Sequence, residues 1–285
     1  MKRSEFRLLD RLRVRWAEID AQQVVFNVHY LMYFDTALSA YWRALAMPYA
    51  PTMASLGGDL YMRKATLDYL SSARYDDVLD VGVRCQRIGS TSMTFNTAVF
   101  RQERCLVSGE LIYVFADPAT QAPRPVPAVL RDTMLAFEAG EAMVEVQVGP
   151  WQELRAPAQA LRFEVFVEEQ KVPLEMEADA ADASAVHAVA RNRFGLTLAT
   201  GRMVQQAPGV ARVGRMAVTK TLRGGGVGAQ VLEALLRVAR ERGDRQVLLH
   251  AQITAVPFYL RAGFAINGPE FEEAGIAHIE MIKTL

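Results

Sequence analysis

The 285-residue sequence predicts an α+β protein of two domains, the first a long sheet curled around one central helix and the second an α/β sheet. Three observations predict this. The length exceeds what one compact core usually organises. Residues 28–45 form a helix apolar around most of its circumference, which something must wrap. Late in the chain, Val218 to Ala229 reads as a strand end, a glycine-rich turn and the start of a helix, an arrangement suited to a pyrophosphate.

From the N-terminus, residues 6–17 place Leu8, Leu12, Val14 and Trp16 on one side, interleaved with Arg7, Arg11, Arg13 and Arg15, which predicts a half-buried strand. The helix at 28–45 then carries Leu31, Phe34, Leu38, Tyr41 and Leu45 on its apolar side, with Asp35, Ser39 and Arg43 as a narrow polar stripe. Strand patterns follow at 59–71, 78–88, 91–102 and 104–116, enough to surround that helix. Four prolines between 116 and 127 break regular structure, and a helix at 128–138 closes the first domain. Ala139-Gly140-Glu141 separates domains at 1–140 and 141–285.

The second domain opens on a strand-like segment at 143–148 and has a strand at 213–218. The helix starting at Val227 shows Val227, Val231, Leu235 and Val238 on one face and Gln230, Glu233, Arg237 and Glu241 on the other, and Gly243 ends it. Residues 246–250 form a short apolar strand. At the glycine turn, first-turn amides lack internal acceptors and the peptide dipoles add about half a positive charge, so an anionic oxygen completes the site. No Lys-Ser or Lys-Thr follows the glycines and no early βαβ unit is present, which disfavours nucleoside-triphosphate and dinucleotide loops.

Strand 213–218 with Arg223-x-x-Gly226-x-Gly228 resembles the acetyl-CoA turn of the GNAT acetyltransferases, and Tyr259-x-x-x-Gly263-Phe264 resembles another segment of that family. The run Arg162-Phe163-Glu164-Val165-Phe166-Val167-Glu168-Glu169-Gln170 and the closing 271–281 resemble its ElaA-like branch. Together the four motifs span 141–285 in the family's order. The resemblance implies a GNAT fold, a mixed α/β sheet with splayed central strands, that uses acetyl-CoA as substrate and no metal. Met216 and Val218 are then expected to offer backbone groups to the pantetheine amides. Arg223, Gly224, Gly225, Gly226, Val227, Gly228 and Ala229 are expected to take the pyrophosphate, and Tyr259 to return a proton to the departing CoA thiolate. The base for the attacking amine stays open. Where many relatives carry a glutamate this chain reads Gly214-Arg215-Met216; a water chain or His250 are alternatives, and His250 reads equally as a hydrogen-bonded core residue. Glu168, Glu169, Asp179 and His187 are weaker acceptor-side candidates.

Trp16 to Phe34 resembles the signature of hotdog-fold acyl-CoA thioesterases of the 4-hydroxybenzoyl-CoA type, a resemblance covering residues 1–140. It implies a hotdog fold, Asp20 as the catalytic carboxylate, a thioester carbonyl polarised by N–H groups at the helix start, and a homo-oligomer with sites built across a subunit boundary. Two positions depart from the family. Gln23 stands where it has glycine, and its His-x-Asn is reversed as Asn27-x-His29, which leaves Asn27 to cap the helix and His29 as a structural residue. Asp20 also reads as a turn-forming aspartate.

Thirty-two basic residues balance 32 acidic ones, giving no reason to expect a nucleic-acid or anionic-membrane partner. With no apolar leader and no run of some 18 apolar residues, a cytoplasmic protein is expected. Cys85 and Cys105 lack metal-ligand spacing and are expected as buried, reduced thiols. The sequence thus predicts a bifunctional enzyme that hydrolyses acyl-CoA and transfers an acetyl group from acetyl-CoA to an amine. The rivals are a first domain that only binds acyl-CoA or dimerises, and a second that only senses CoA.

Overall fold

The computed structural model describes residues 1–177 and 179–285 and divides into two units, Met1–Met143 and Val144–Leu285. In the first, β1 (Leu8–Arg13) leads to α1 (Asn27–Ala44), α2 (Tyr49–Leu56), β2 (Asp59–Tyr69), β3 (Val78–Ile88), β4 (Ser92–Arg101), β5 (Arg104–Ala116) and α3 (Ala128–Glu138). The strands form one antiparallel sheet in the order β1-β3-β4-β5-β2.

Helix α1 buries Tyr30, Tyr33, Phe34, Ala37, Leu38, Tyr41 and Trp42, residues three and four apart, so that one broad apolar face meets the sheet. Tyr41 and Trp42 strike the Phe95 ring of β4 edge-on, with centroids 5.6 and 5.9 Å away. Phe34 comes so close to β5 that a Cβ on Gly109 would lie 2.8 Å from its ring, so the strand has no side chain there. Burying Phe34 completely contributes about 1.5–3 kcal/mol. The sheet's other face is covered by Phe6, which packs on Phe100 at 5.6 Å.

Two expectations are corrected here. The first strand stops at Arg13, and Trp16 is 69% exposed and edge-on to Tyr75 instead of sharing the buried side. The cause is Glu18, whose carboxylate takes the backbone N–H of Arg15 at 2.8 Å and its Nε at 2.7 Å, curling Trp16–Glu18 into a 3-10 turn. Cys85 and Cys105 are free thiols but half-buried; burial pushes the Cys85 thiol up to about 12.

The second unit runs β6 (Val144–Pro150), α4 (Trp151–Arg162), a π-helical segment Phe163–Glu169, α5 (Leu174–Glu177), β7 (Val186–Asn192), β8 (Thr197–Ala207), β9 (Val210–Val218), α6 (Val227–Arg242), β10 (Gln246–Gln252), α7 (Val256–Arg261), β11 (Ala265–Glu273) and β12 (Ile276–Thr284). Sheet order is β11-β12-β10-β9-β8-β7-β6, with β9 and β10 parallel and joined through α6. Their pairing covers only Val210–Val213 against Gln246–Leu249. Beyond it β9 follows β8 and β10 follows β12, so the two strands part. A bulge marks the parting: Thr200 pairs with Ala217 and Arg202 with Gly214, leaving Arg215 and Met216 opposite Gly201, with Arg215 at φ 51°.

Candidate functional site

The glycine turn of the second unit is built to leave amides open. Gly224 and Gly226 sit at φ 83° and 84°, a conformation that side chains disfavour, and α6 starts at Gly226 without a side-chain cap. The Gln230 N–H is the first to reach back, to the Gly226 carbonyl at 3.2 Å. Among the described residues the amides of Gly224, Gly226, Val227, Gly228 and Ala229 have no backbone acceptor, as the first turn of a helix dictates. Arg223 and Gly225 differ from the sequence expectation, since their amides donate to Lys220 and Leu222 at 3.3 and 3.1 Å. The Arg223 side chain is also engaged, through Nε to the Val218 carbonyl and both Nη atoms to Glu169.

Where β9 and β10 part, a cavity of about 540 Å³ opens. Met216, Gly214, His250, Gln252 and Tyr259 are among its lining residues, while Val218 and the glycine turn lie outside it. Tyr259 is buried on α7, and burial pushes its phenol up to about 12, so it carries its proton at neutral pH. His250 has Nδ1 2.9 Å from Arg212 Nη2 and 3.2 Å from Glu273 Oε2, with Glu280 3.8 Å from Nε2. Burial alone would raise the Glu273 carboxyl; the His250 hydrogen bond and the nearby His278 and Arg212 more than offset it and hold it below its ordinary value.

At Glu177, Asp179, Arg202 and Arg215 the cavity is lined by an ionic network that sequence reading missed, backed by the buried Arg162 and Asp182. Arg162, 1% exposed, binds Glu177 and, at 2.9 and 3.0 Å, Asp182. Arg202 joins Asp182 at 2.8 Å to Asp179 at 2.6 Å, and Arg215, turned by the bulge, holds Asp179 and the Met176 and Glu177 carbonyls. Burial opposes the charge on Asp182, but the hydrogen bonds from Arg162 and Arg202 keep its carboxyl below its ordinary value. Asp179 therefore lines the cavity as a tethered carboxylate. His187 does not line it: the ring is buried against Trp151, bonded to the Asp182 carbonyl at 3.0 Å, and burial lowers its pKa. Glu168 is exposed.

In the first unit, Asp20, Phe26, Asn27, Tyr30, Tyr69 and Ser71 line a cavity of about 500 Å³ at the start of α1. Asp20 Oδ1 accepts the Gln22 N–H at 2.8 Å and the Val24 N–H at 3.4 Å, and the Asp20 and Gln23 amides close the same turn. Gln23 adopts φ 61°, a left-handed conformation that a side chain disfavours and glycine adopts freely. Asn27 is not the cap. Phe26 occupies that position without a side-chain bond, because the Phe26 N–H is fixed to the Glu18 carbonyl at 2.9 Å and helical geometry begins at Asn27. Glu18, 3% exposed, anchors the loop to α1 through the Tyr33 hydroxyl at 2.6 Å. Among the described residues no helix is long and apolar enough to cross a membrane, and no group of three His, Cys, Asp or Glu is arranged to hold a metal.

Residues 150–285 match the Acetyltransferase (GNAT) domain family, and residues 22–108 match the Thioesterase superfamily. The second half is 36% identical over 124 residues to the Uncharacterized N-acetyltransferase YjcF of Bacillus subtilis, covering 43% of this chain and 87% of the relative. The first half is 27% identical over 117 residues to the Acyl-CoA thioester hydrolase YbgC of Escherichia coli, covering 41% of this chain and 87% of the relative. An Acyl-CoA N-acyltransferase structure from Pseudomonas aeruginosa is 33% identical, covering 49% of this chain and 99% of that one, with a TM-score of 0.44. The chain belongs to the GNAT acetyltransferases through its second half and carries a hotdog thioesterase domain in its first.

Proposed function

We propose that this protein is a bifunctional CoA-thioester enzyme, hydrolysing acyl-CoA in the first domain and transferring an acetyl group from acetyl-CoA to an amine in the second. The parting of β9 and β10 beside a turn of open amides carries the second half of this reading. The amides of Gly224 and Gly226 to Ala229 bind the diphosphate, and the backbone of Met216 with the Val218 N–H, unpaired by β10, aligns the pantetheine arm. The cavity at the parting receives the acetyl group and the amine. A neutral amine nitrogen attacks the carbonyl carbon, the C–S bond breaks, and Tyr259 supplies the proton that the thiolate takes. The base for the amine proton is a water chain or His250, which also lines the cavity and would have to release its Nδ1 contact with Arg212 or use Nε2.

In the first domain Asp20 attacks the thioester carbonyl or activates a water, and amides at the α1 start polarise that carbonyl. The exposed edge strand β2, with Met62 and Tyr69 at 41% and 53% exposure, is where two copies join in a homo-oligomer. A cytoplasmic location without nucleic-acid or membrane partners fits the balanced charge of 32 basic and 32 acidic residues. One observation favours a second reading for this half: Asp20 Oδ1 is held by two amides of its own turn, as in a purely structural Asx turn. Two assays test the proposal. Acetyl-CoA turnover is measured with a panel of amines, and acyl-CoA hydrolysis is followed in the parent protein. Absence of hydrolysis makes the first domain a scaffold; absence of turnover with every amine makes the second a CoA-binding module.

A further inference from the structure

The segment before α5 is tied to both sides of the parted strands by two consecutive residues. Glu169 forms a two-point pair with Arg223, Oε1 to Nη1 and Oε2 to Nη2, both at 2.7 Å, just past the end of β9. Gln170 reaches the other way, exchanging amide hydrogen bonds of 2.9 and 3.4 Å with Gln252, the last residue of β10. Such divergence from neighbouring positions requires unusual backbone. Phe163–Glu169 is π-helical, the Gln170 N–H bonds five residues back to Val165, and Lys171 follows in the left-handed region at φ 63°. The apolar side of the segment rests on Ala217 through Leu161, Val165 and Phe166.

The bidentate face of Arg223 is therefore occupied, its Nε is fixed to the Val218 carbonyl, and its amide is bonded to Lys220. Fork-to-fork pairing with a carboxylate adds geometric specificity to a charge-assisted bond, so it fixes the direction of both side chains even at this partly exposed site. The Glu169 carboxyl is held below its ordinary value first by that hydrogen bond, so the pair stays ionised at neutral pH.

We infer that Arg223 is a positioning residue, not a diphosphate ligand: with Glu169 it fastens the acceptor-side segment Phe163–Gln170 to the coenzyme turn, so that coenzyme binding orders the acceptor wall. This rests on the reading of residues 224–229 as the diphosphate turn.

The test compares the parent with Glu169→Gln, Arg223→Gln and the double variant, using coenzyme A as the probe. Calorimetry gives the Kd, and hydrogen exchange of residues 163–170 with and without coenzyme A gives the coupling. The expected result is a Kd within about threefold of the parent for all three variants, with the coenzyme-induced protection of 163–170 lost in each single variant and no further loss in the double. Gln252→Ala, which cuts the second tie, is expected to weaken that protection at unchanged Kd. Arg223→Gln weakening coenzyme binding about tenfold or more while Glu169→Gln tightens it would overturn the inference, since Arg223 would then be a ligand for which Glu169 competes. Unchanged protection in all variants would overturn it as well. A parent that binds no coenzyme A in the second domain overturns the diphosphate reading itself, and this inference with it.

Discussion

Both domains present the uncapped start of a helix beside a cavity or cleft, yet they do so by different means. At α6 the open groups are backbone alone: two left-handed glycines aim the amides, and no side chain of the turn enters the cavity. At α1 the backbone is partly closed by Glu18 and the site depends on one side chain, Asp20. The difference teaches that the α6 turn is suited to hold a carrier and the α1 loop to act on one. Binding at α6 should tolerate side-chain changes but not backbone ones, and the reverse should hold at α1.

The largest expected effect breaks the comparison on the α1 side. Asp20→Asn keeps size and turn bonding but removes the nucleophile or base, and thioester hydrolysis should fall by about 10²–10⁴ with the thermal unfolding midpoint unchanged. An Asp20→Asn protein as active as the parent would make the aspartate structural. Next, if the Tyr259 phenol protonates the leaving group as proposed, Tyr259→Phe should lower kcat for acetyl transfer by about 10–100-fold with little change in KM for acetyl-CoA. Gly226→Ala should weaken acetyl-CoA binding by about tenfold. A side chain at φ 84° costs about 1–2 kcal/mol, and relaxation of that strain re-aims the amides.

Smaller effects sharpen the contrast in stability. Gln23→Gly should raise the stability of the first domain by about 1 kcal/mol, read from denaturant unfolding, because it relieves a left-handed glutamine. In the second domain, burial lowers the His187 pKa below its unfolded value, so the folded state disfavours the protonated ring. Its contribution is present above the unfolded pKa of about 6.5 and is lost as pH falls from there towards the folded pKa. The second domain's melting temperature should therefore drop between pH 7 and 5, and His187→Gln should flatten that dependence. Asp182, whose folded pKa is depressed, acts in the same direction lower down, from about pH 4.

Local chemistry made part of this molecule readable. The α1 stripe and the glycine turn follow from spacing over one or two turns of chain, and both formed within a residue or two of expectation. Strands β7 and β8 escaped because Ala188-Val189-Ala190 and Leu198-Ala199-Thr200-Gly201 are buried on both faces, which erases alternation. Helix α2 is only eight residues long and offers too few turns to show a period. The network of Arg162, Arg202 and Arg215 escaped for another reason. Its partners lie 15 to 39 residues away, and Arg215 reaches them from a left-handed bulge that no residue type announces. Asp20 and Tyr259, named from the sequence, each line a cavity, whereas the bonding that constrains Asp20 and Arg223 appears only in three dimensions.

The central claim is most directly tested by a crystal structure with acetyl-CoA bound. The account predicts the diphosphate oxygens within hydrogen-bond distance of the amides of Gly224 and Gly226 to Ala229, and the acetyl carbonyl between β9 and β10 beside Tyr259. A diphosphate bound away from that turn, with the cavity between the strands empty, would contradict it.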